Sequence, residues 1–168
     1  MKKHLLTLGL LAFGFTSFAQ FTPNRVVVSQ YGDGTTIVSG TNAMPVFLKE
    51  FKTKLDNAPT ENTATYTVSM PTSGAGGGVN YPHTGTYSPT YEGLLNLSAN
   101  GAYITMLGFG IAPGTAPAST DMRVLTTVDA NGAVISTTNV KGSANNLNSP
   151  RAAITVDGTG FWTIGDAG

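Results

Sequence analysis

The sequence predicts an all-β protein. Charged residues make up only 11% of the 168 residues, whereas 21 glycines are spread along the chain. Abundant Gly, Thr, Ser and Val favour short strands joined by glycine turns. No stretch after the N-terminal segment keeps a helical hydrophobic period for more than about three turns. We therefore expect almost no helix, and residues 45–55 fit a strand that runs into a charged turn.

The first residues have the features of a secretory signal peptide. Basic residues at Lys2 and Lys3 precede an apolar run over 5–15, and small residues follow it up to Ala19. This run is shorter than the roughly 20 apolar residues that a membrane-spanning helix needs. We predict a signal peptide over residues 1–19, cleavage between Ala19 and Gln20, and no transmembrane span afterwards.

The chain after the predicted cleavage is nearly neutral and has no cysteine. Loss of Lys2 and Lys3 leaves seven basic against nine acidic residues, a net charge near −2, which does not favour nucleic acid or anionic lipid as partners. Without disulfides, the exported part must be held together by core burial and backbone pairing. A secreted or cell-surface protein of a bacterium fits this composition better than a disulfide-dense eukaryotic module.

Internal repeats predict the order of the strands. Residues 93–108 and 150–165 align without gaps at an offset of 57 residues, and an Asn-Gly pair in the first copy corresponds to an Asp-Gly pair in the second. Such pairs adopt the positive φ of tight turns, so each copy predicts a hairpin. A second pair, 25–34 and 123–132, aligns at an offset of 98, and its second copy continues into a returning strand over 133–138.

The two hairpins 93–108 and 123–138, followed by the first type again, make a four-stranded unit of 57 residues. Repetition of a four-stranded meander is the signature of a β-propeller blade. A β-sandwich or a β-solenoid is the alternative, because hairpins with Asx-Gly turns occur there too. The predicted parts of the domain 20–168 are a half blade over 25–70, a Gly/Tyr-rich loop over 71–92, a full blade over 93–140 and the start of the next blade over 150–168.

Closure of a propeller ring requires at least four blades. Residues 20–168 provide about two by the 57-residue repeat. We therefore expect an incomplete propeller, a fragment of a longer chain, with uncovered sheet edges and apolar faces.

Three segments carry a resemblance to a known family: RVVVSQYGDG at 25–34, EGLLNLSANGAYITMLGF at 92–109 and RAAITVDGTGFWTIGDAG at 151–168. Together with PVFLKEF they resemble the N-terminal part of a family of large secreted bacterial β-propeller proteins of uncertain function. That family has a GDG near the mature start, a G-L-L-x-L-S-x-x-G blade opening and a later V-D-G-x-G-F-W. The resemblance implies a Gram-negative cell-surface protein, often held by a C-terminal sorting domain. The segment 52–62 is longer than the strand connection expected from it.

The Gly/Tyr-rich segment contains the candidate ligand residues. His83 is the only histidine after the signal, and Tyr81, Tyr87 and Tyr91 accompany it. Tyrosines on a propeller rim can stack on a sugar ring or contact a partner, so a carbohydrate or a surface protein is the candidate ligand. The alternative is a solvated connector whose tyrosines pack on neighbouring strands.

The other polar motifs favour structural roles. The glycine run 73–78 lacks the Lys-Ser/Thr of a phosphate loop, and the acidic turns 129–132 and 157–160 lack the spacing of a calcium loop. We predict neither a metal nor another cofactor, and no catalytic residue is identified. A pair of catalytic carboxylates would have to come from Asp33, Glu50, Glu92, Asp121 and Asp166.

Strand alternation places Phe161 and Trp162 on opposite sides of one strand, with one of them in the core between blades. Aromatic packing is the expected role of both.

The sequence thus favours an exported, non-enzymatic binding or surface-interaction module. The alternative is a propeller enzyme, a hydrolase or lyase, that degrades extracellular polysaccharide with an active site mostly beyond residue 168. Two carboxylates, or a cluster with histidine, that converge on one channel would favour the enzyme.

Overall fold

The computed structural model describes residues 21–35, 41–53, 63–74, 79–86, 92–140 and 147–167. These residues contain no helix, and hence none that could cross a membrane. The all-β prediction is confirmed for them, whereas the predicted signal peptide lies outside the described ranges. The strands are β1 (Val26–Tyr31), β2 (Met44–Phe51), β3 (Tyr66–Ser69), β4 (Thr84–Gly85), β5 (Asn96–Leu97), β6 (Tyr103–Phe109), β7 (Arg123–Asp129), β8 (Val134–Asn139), β9 (Leu147–Thr155) and β10 (Phe161–Ala167).

The first layer is the antiparallel sheet β1-β2-β3, in which β2 is central. Along β2, buried residues alternate with half-buried ones, because successive side chains of a strand point to opposite faces. Val46 and Leu48 lie on the buried face. Strand β1 pairs with β2 over its whole length, from Val26 opposite Phe51 onward, and β3 pairs with the other edge.

The second layer is a four-stranded antiparallel meander, β5-β6-β7-β8, within residues 93–140. The two-residue strand β4 joins the layers, since it pairs with the start of β2 and, through Thr84, with Phe109 of β6. A hydrophobic core lies between the layers, with Leu48 and Val68 on one side and Met106 on the other.

The third layer is the β9–β10 hairpin, which packs on the opposite side of β6. Its Ala153 contacts Leu107 and Leu125 in a second core, and Phe161 packs against them. The Thr105 hydroxyl donates a hydrogen bond of 2.6 Å to the carbonyl of Ala153. The middle layer is therefore covered on both faces.

The turns follow the Asx-Gly prediction. Gly101, Gly132 and Gly158 have φ values of 72°, 79° and 89°, in the left-handed region that glycine adopts without strain. The Asp129 carboxylate accepts hydrogen bonds of 2.9 and 2.8 Å from the amides of Asn131 and Ala133. Turn geometry thus accounts for this acidic residue without a bound ion.

The 57-residue repeat is also a repeat of structure. Ser98 and Thr155 hold equivalent positions, and each hydroxyl bridges its own turn. The Ser98 hydroxyl accepts from the Tyr103 amide at 2.9 Å, and that of Thr155 donates to the Gly160 carbonyl at 2.6 Å. Over the described residues the sheets stay open, because β1 and β8 end the larger sheet and β9–β10 forms a separate one.

Candidate functional site

A buried polar cluster lies where the ends of β1, β4, β6 and β7 meet. Several of its members are polar or charged, whereas buried side chains are usually apolar. The chain as a whole has few charged residues. Each buried polar atom must find a partner, so such a cluster fixes the geometry around it. The cluster consists of Tyr31, Thr86, Glu92, Phe109 and Arg123.

Arg123, the first residue of β7, is the centre of the cluster and is almost fully buried. Its guanidinium lies 4.4 Å from the centre of the Phe109 ring, its cross-strand neighbour on β6. The same group donates hydrogen bonds to the carbonyls of Asp121, at 2.7 Å, and Ala118, at 3.4 Å. Burial lowers the pKa of Arg123, while the carboxylates of Asp121 and Glu92 act to raise it. Arg123 therefore fastens the loop before β7 to the sheet.

Glu92 is the acidic member of the cluster and is hydrogen-bonded to Thr86. The Thr86 amide and hydroxyl donate one hydrogen bond each, both of 2.8 Å, to the two carboxylate oxygens. Burial raises the pKa of Glu92, although the bonds from Thr86 and the charge of Arg123 act to lower it. Its negative charge offsets that of Arg123 and leaves the cluster close to neutral.

Tyr31, at the end of β1, lies between two glycines. A Cβ atom on Gly85 would overlap the Tyr31 ring, and one on Gly93 would overlap its hydroxyl group. Burial raises the pKa of Tyr31, and the nearby charge of Glu92 raises it further, so the phenol is neutral at physiological pH. The two glycines therefore provide the space that Tyr31 occupies beneath Glu92.

A cleft of about 330 Å³ opens beside this cluster. Three hydroxyl-bearing residues from three connecting segments line it together with an aromatic ring and a proline, a mixture that suits a small polar ligand with one apolar face. Arg123 and Glu92 fix the walls, because each is bonded to backbone or to Thr86. The lining residues are Thr41, Thr86, Phe109, Pro117, Ala118, Ser119 and Arg123.

Two of the predicted ligand residues, Tyr81 and His83, lie away from the cleft. Tyr81 is half-buried, and its amide donates a hydrogen bond of 3.0 Å to the carbonyl of Ser136. His83 is completely buried, with Nδ1 2.6 Å from the Thr126 hydroxyl and its ring against Gly108. Neither lines the cleft. Tyr87 and Tyr91 lie outside the described residues, as do Ala19 and Gln20, so the ligand-loop and cleavage predictions stay predictions.

The candidate carboxylates are dispersed. Asp33 accepts a bond of 2.8 Å from the Thr35 amide within its own turn. The buried Glu50 accepts bonds from the Thr22 amide and the Thr65 hydroxyl, at 2.5 and 2.9 Å. Only Glu92 and Asp121 share a neighbour, Arg123, and the side chain of Asp166 lies outside the described part. Within that part, no three His, Cys, Asp or Glu side chains are grouped as a metal site would require.

Substitution of Arg123 should separate the roles of its shape and its charge. We expect Arg123→Lys to lower the free energy of unfolding by about 2 kcal/mol, because an ammonium group cannot both stack on Phe109 and reach two carbonyls. Arg123→Met should cost more, about 3–4 kcal/mol, since Glu92 then loses its buried cationic neighbour. Urea unfolding at pH 7 measures the free energy of unfolding of both variants. An equal loss in Arg123→Lys and Arg123→Met would show that the charge of Arg123 contributes little.

Sequence reasoning singled out Glu92 only as one acid among five and Arg123 only as the start of a repeat. Thr86 and Phe109 carried no motif. One signal was present: Gly85 and Gly93 flank the stretch that ends in Glu92, and glycines mark places where another group approaches the backbone closely.

Comparison of the chain with protein-family models, with curated proteins and with solved structures finds no match.

Proposed function

We propose that this chain is an exported, non-enzymatic binding module of β-propeller type, and that the cleft beside Arg123 binds a neutral carbohydrate. The observation that carries the proposal is a cleft with rigid walls in which hydroxyl-bearing side chains lie beside the apolar atoms of Phe109 and Pro117. Rigid walls reduce the ordering cost of binding, which favours recognition of a weakly binding sugar.

The charge balance around the cleft favours a neutral ligand. Among the described residues that line the cleft, Arg123 alone has a formal charge, and Glu92 and Asp121 both act on it electrostatically. Its guanidinium already donates to the carbonyls of Asp121 and Ala118. An anionic ligand would have to compete with two carboxylates, whereas a sugar needs only hydroxyl partners and an apolar surface.

The propeller part of the proposal rests on the layered order of the strands. Three consecutive parts of the chain form three face-to-face layers, and the middle one is a four-stranded meander. Blades of a propeller pack in this way. Export rests on the N-terminal sequence, with its basic start and apolar run.

A polysaccharide-degrading enzyme is the second candidate, and one observation favours it. Glu92 has a pKa raised by burial, as a general acid requires, and Asp121 lies near the same arginine. Against catalysis, both oxygens of Glu92 accept bonds from Thr86. The binding module is therefore the first proposal.

Blocking the cleft tests the binding site. Ser119 is exposed at its rim, so Ser119→Trp should fill the opening without a change in the core. We expect the dissociation constant for the best sugar among glucose, galactose, mannose and xylose oligomers to rise at least about tenfold. Calorimetric titration of the purified protein measures it, and Thr159→Trp, in the exposed turn of the third layer, is the matched control.

The outcomes separate the alternatives. Equal affinity in Ser119→Trp and the unsubstituted protein would place the ligand elsewhere. No binding of any oligomer would contradict the carbohydrate proposal. Release of new reducing ends during the titration would favour the enzyme over the binding module.

A further inference from the structure

The outer face of the third layer is apolar and uncovered. Trp162 and Ile164 on β10 are 64% and 62% exposed, and their cross-strand neighbours on β9 are Ile154 and Ala152. Ile154 is also exposed, as is Val156 at the end of the hairpin. Adjacent exposed apolar side chains of this size mark an interaction surface more often than a solvent-facing sheet.

The internal repeat indicates what kind of structure covers such a face. Trp162 and Ile164 correspond, at the offset of 57, to Thr105 and Leu107 of β6. Those two residues are 0% and 1% exposed, because the β9–β10 hairpin lies on them. By equivalence, the outer face of β10 is the position of a further β-sheet layer.

The inner faces of β6 and β10 correspond in the same way. Phe161 of β10 corresponds to Ile104 of β6. Phe161 packs against the layer before it, in the second core, and Ile104 packs against the layer before its own, in the first core. The equivalence of the two hairpins therefore includes the direction in which their side chains point.

A suitable layer lies at the opposite end of the stack. On the outer face of β1, Val26 and Val28 are 48% and 40% exposed, and they pair with Phe51 and Lys49 of β2, both half-buried. Each end of the molecule thus presents exposed apolar side chains on a sheet face, and the alkyl chain of Lys49 can pack beside Val28 in the first layer. The interior faces between the layers are covered. The first layer of one copy can therefore cover the third layer of another copy.

We propose that the outer face of β9–β10 is a docking surface for a second copy of this chain, which covers it with the outer face of its own β1-β2-β3 sheet. The contact is heterologous, so copies add head to tail and form a ring or a filament according to the rotation between them. This inference is independent of the proposed carbohydrate site, since none of the cleft residues lies on either face.

The single tryptophan makes the docking measurable. We expect the mass of the purified protein in sedimentation to rise with concentration. Over the same range the emission of Trp162 should shift to shorter wavelength and lose its quenching by acrylamide. Each of Ile164→Lys and Val28→Lys should weaken self-association at least about tenfold, because each places a charge in an apolar contact. Ile135→Lys, at an exposed apolar position on β8, is the matched control and should associate like the unsubstituted protein.

A mixture of the two variants gives the sharpest test. Ile164→Lys keeps an intact first layer and Val28→Lys keeps an intact third layer. At a concentration where each variant alone is monomeric, the mixture should therefore form a one-to-one complex. A monomeric unsubstituted protein with quenchable Trp162 at all concentrations would overturn the proposal. Undiminished association of Val28→Lys would also overturn it, since the third layer would then pair with itself. Carbohydrate titration of the same samples reports the cleft separately.

Discussion

Replacement of Gly93 by alanine should strongly lower the free energy of unfolding. Gly93 has a φ of 70°, and a Cβ atom there would overlap the hydroxyl group of Tyr31. The left-handed backbone costs an alanine about 1 kcal/mol. The overlap must then push a buried ring out of the polar cluster, which adds about 2–3 kcal/mol. We expect a total loss of about 3–4 kcal/mol in the free energy of unfolding.

Gly101→Ala is the matched control for this prediction. Gly101 has nearly the same φ, 72°, but open space around its missing side chain. Its substitution should therefore show the backbone cost alone, about 1 kcal/mol. Urea unfolding of both variants gives the difference. A loss in Gly93→Ala no larger than in Gly101→Ala would mean that Tyr31 moves aside freely, and a second Tyr31→Phe substitution should recover part of any larger loss.

Acid should destabilise the protein through His83. Burial lowers the pKa of His83 from 6.5 to about 4. Its Nδ1 faces Thr126, and no hydrogen-bond partner of Nε2 is present among the described residues. The imidazolium form would need partners for both nitrogens, because both then carry a proton. The folded state therefore disfavours the charged form.

The sign of the pH effect follows from this shift. Above pH 6.5 the histidine is neutral in both states and costs nothing. As the pH falls from 6.5 to about 4, the unfolded chain binds a proton that the folded protein does not, so stability is lost. The shift of about 2.5 pH units corresponds to a loss of about 3 kcal/mol, complete below pH 4.

A variant without the titrating ring isolates this contribution. His83→Gln should make the free energy of unfolding between pH 4 and 6.5 depend less on pH, by the same 3 kcal/mol, whatever its effect at pH 7. Glu92 acts in the opposite sense, because its raised pKa makes the folded state less stable as the pH rises above the usual carboxyl range. Both proteins contain Glu92, so its contribution cancels when the free energies of unfolding of the variant and the unsubstituted protein are subtracted at each pH. If His83→Gln does not fold, His83→Asn replaces it, and an unchanged pH slope in either variant would contradict the assignment.

The sequence predicts those parts of the fold that depend on local chemistry. Turns at Gly101, Gly132 and Gly158 follow from a residue pair that favours positive φ. The strand at 45–51 follows from its composition, and the opposite facing of Phe161 and Trp162 follows from alternation. Phe161 packs in the second core as expected, whereas Trp162 is 64% exposed, so its expected packing is wrong within the described part of the chain.

Long-range proximity is what the sequence could not predict. The polar cluster beside the cleft brings Glu92 into the electrostatic range of both Tyr31 and Arg123, although the three residues are far apart along the chain. No periodicity reports such contacts. His83 shows the same limit: its glycine- and tyrosine-rich surroundings predicted a surface loop, but the two-residue strand β4 that follows it carries it into the core. So short a strand has no detectable alternation.

The layered order of the chain has a consequence for how such a molecule can grow. Each layer is made from one continuous part of the sequence, and it touches mainly the layers before and after it. Duplication of the gene segment that encodes the 57-residue unit would therefore lengthen the stack and leave the path of every existing strand unchanged. The free energy of unfolding would increase, for each added layer, by about the energy of one contact between neighbouring layers. The number of layers can in this way change while the turns, the strand directions and the cleft beside Arg123 stay the same.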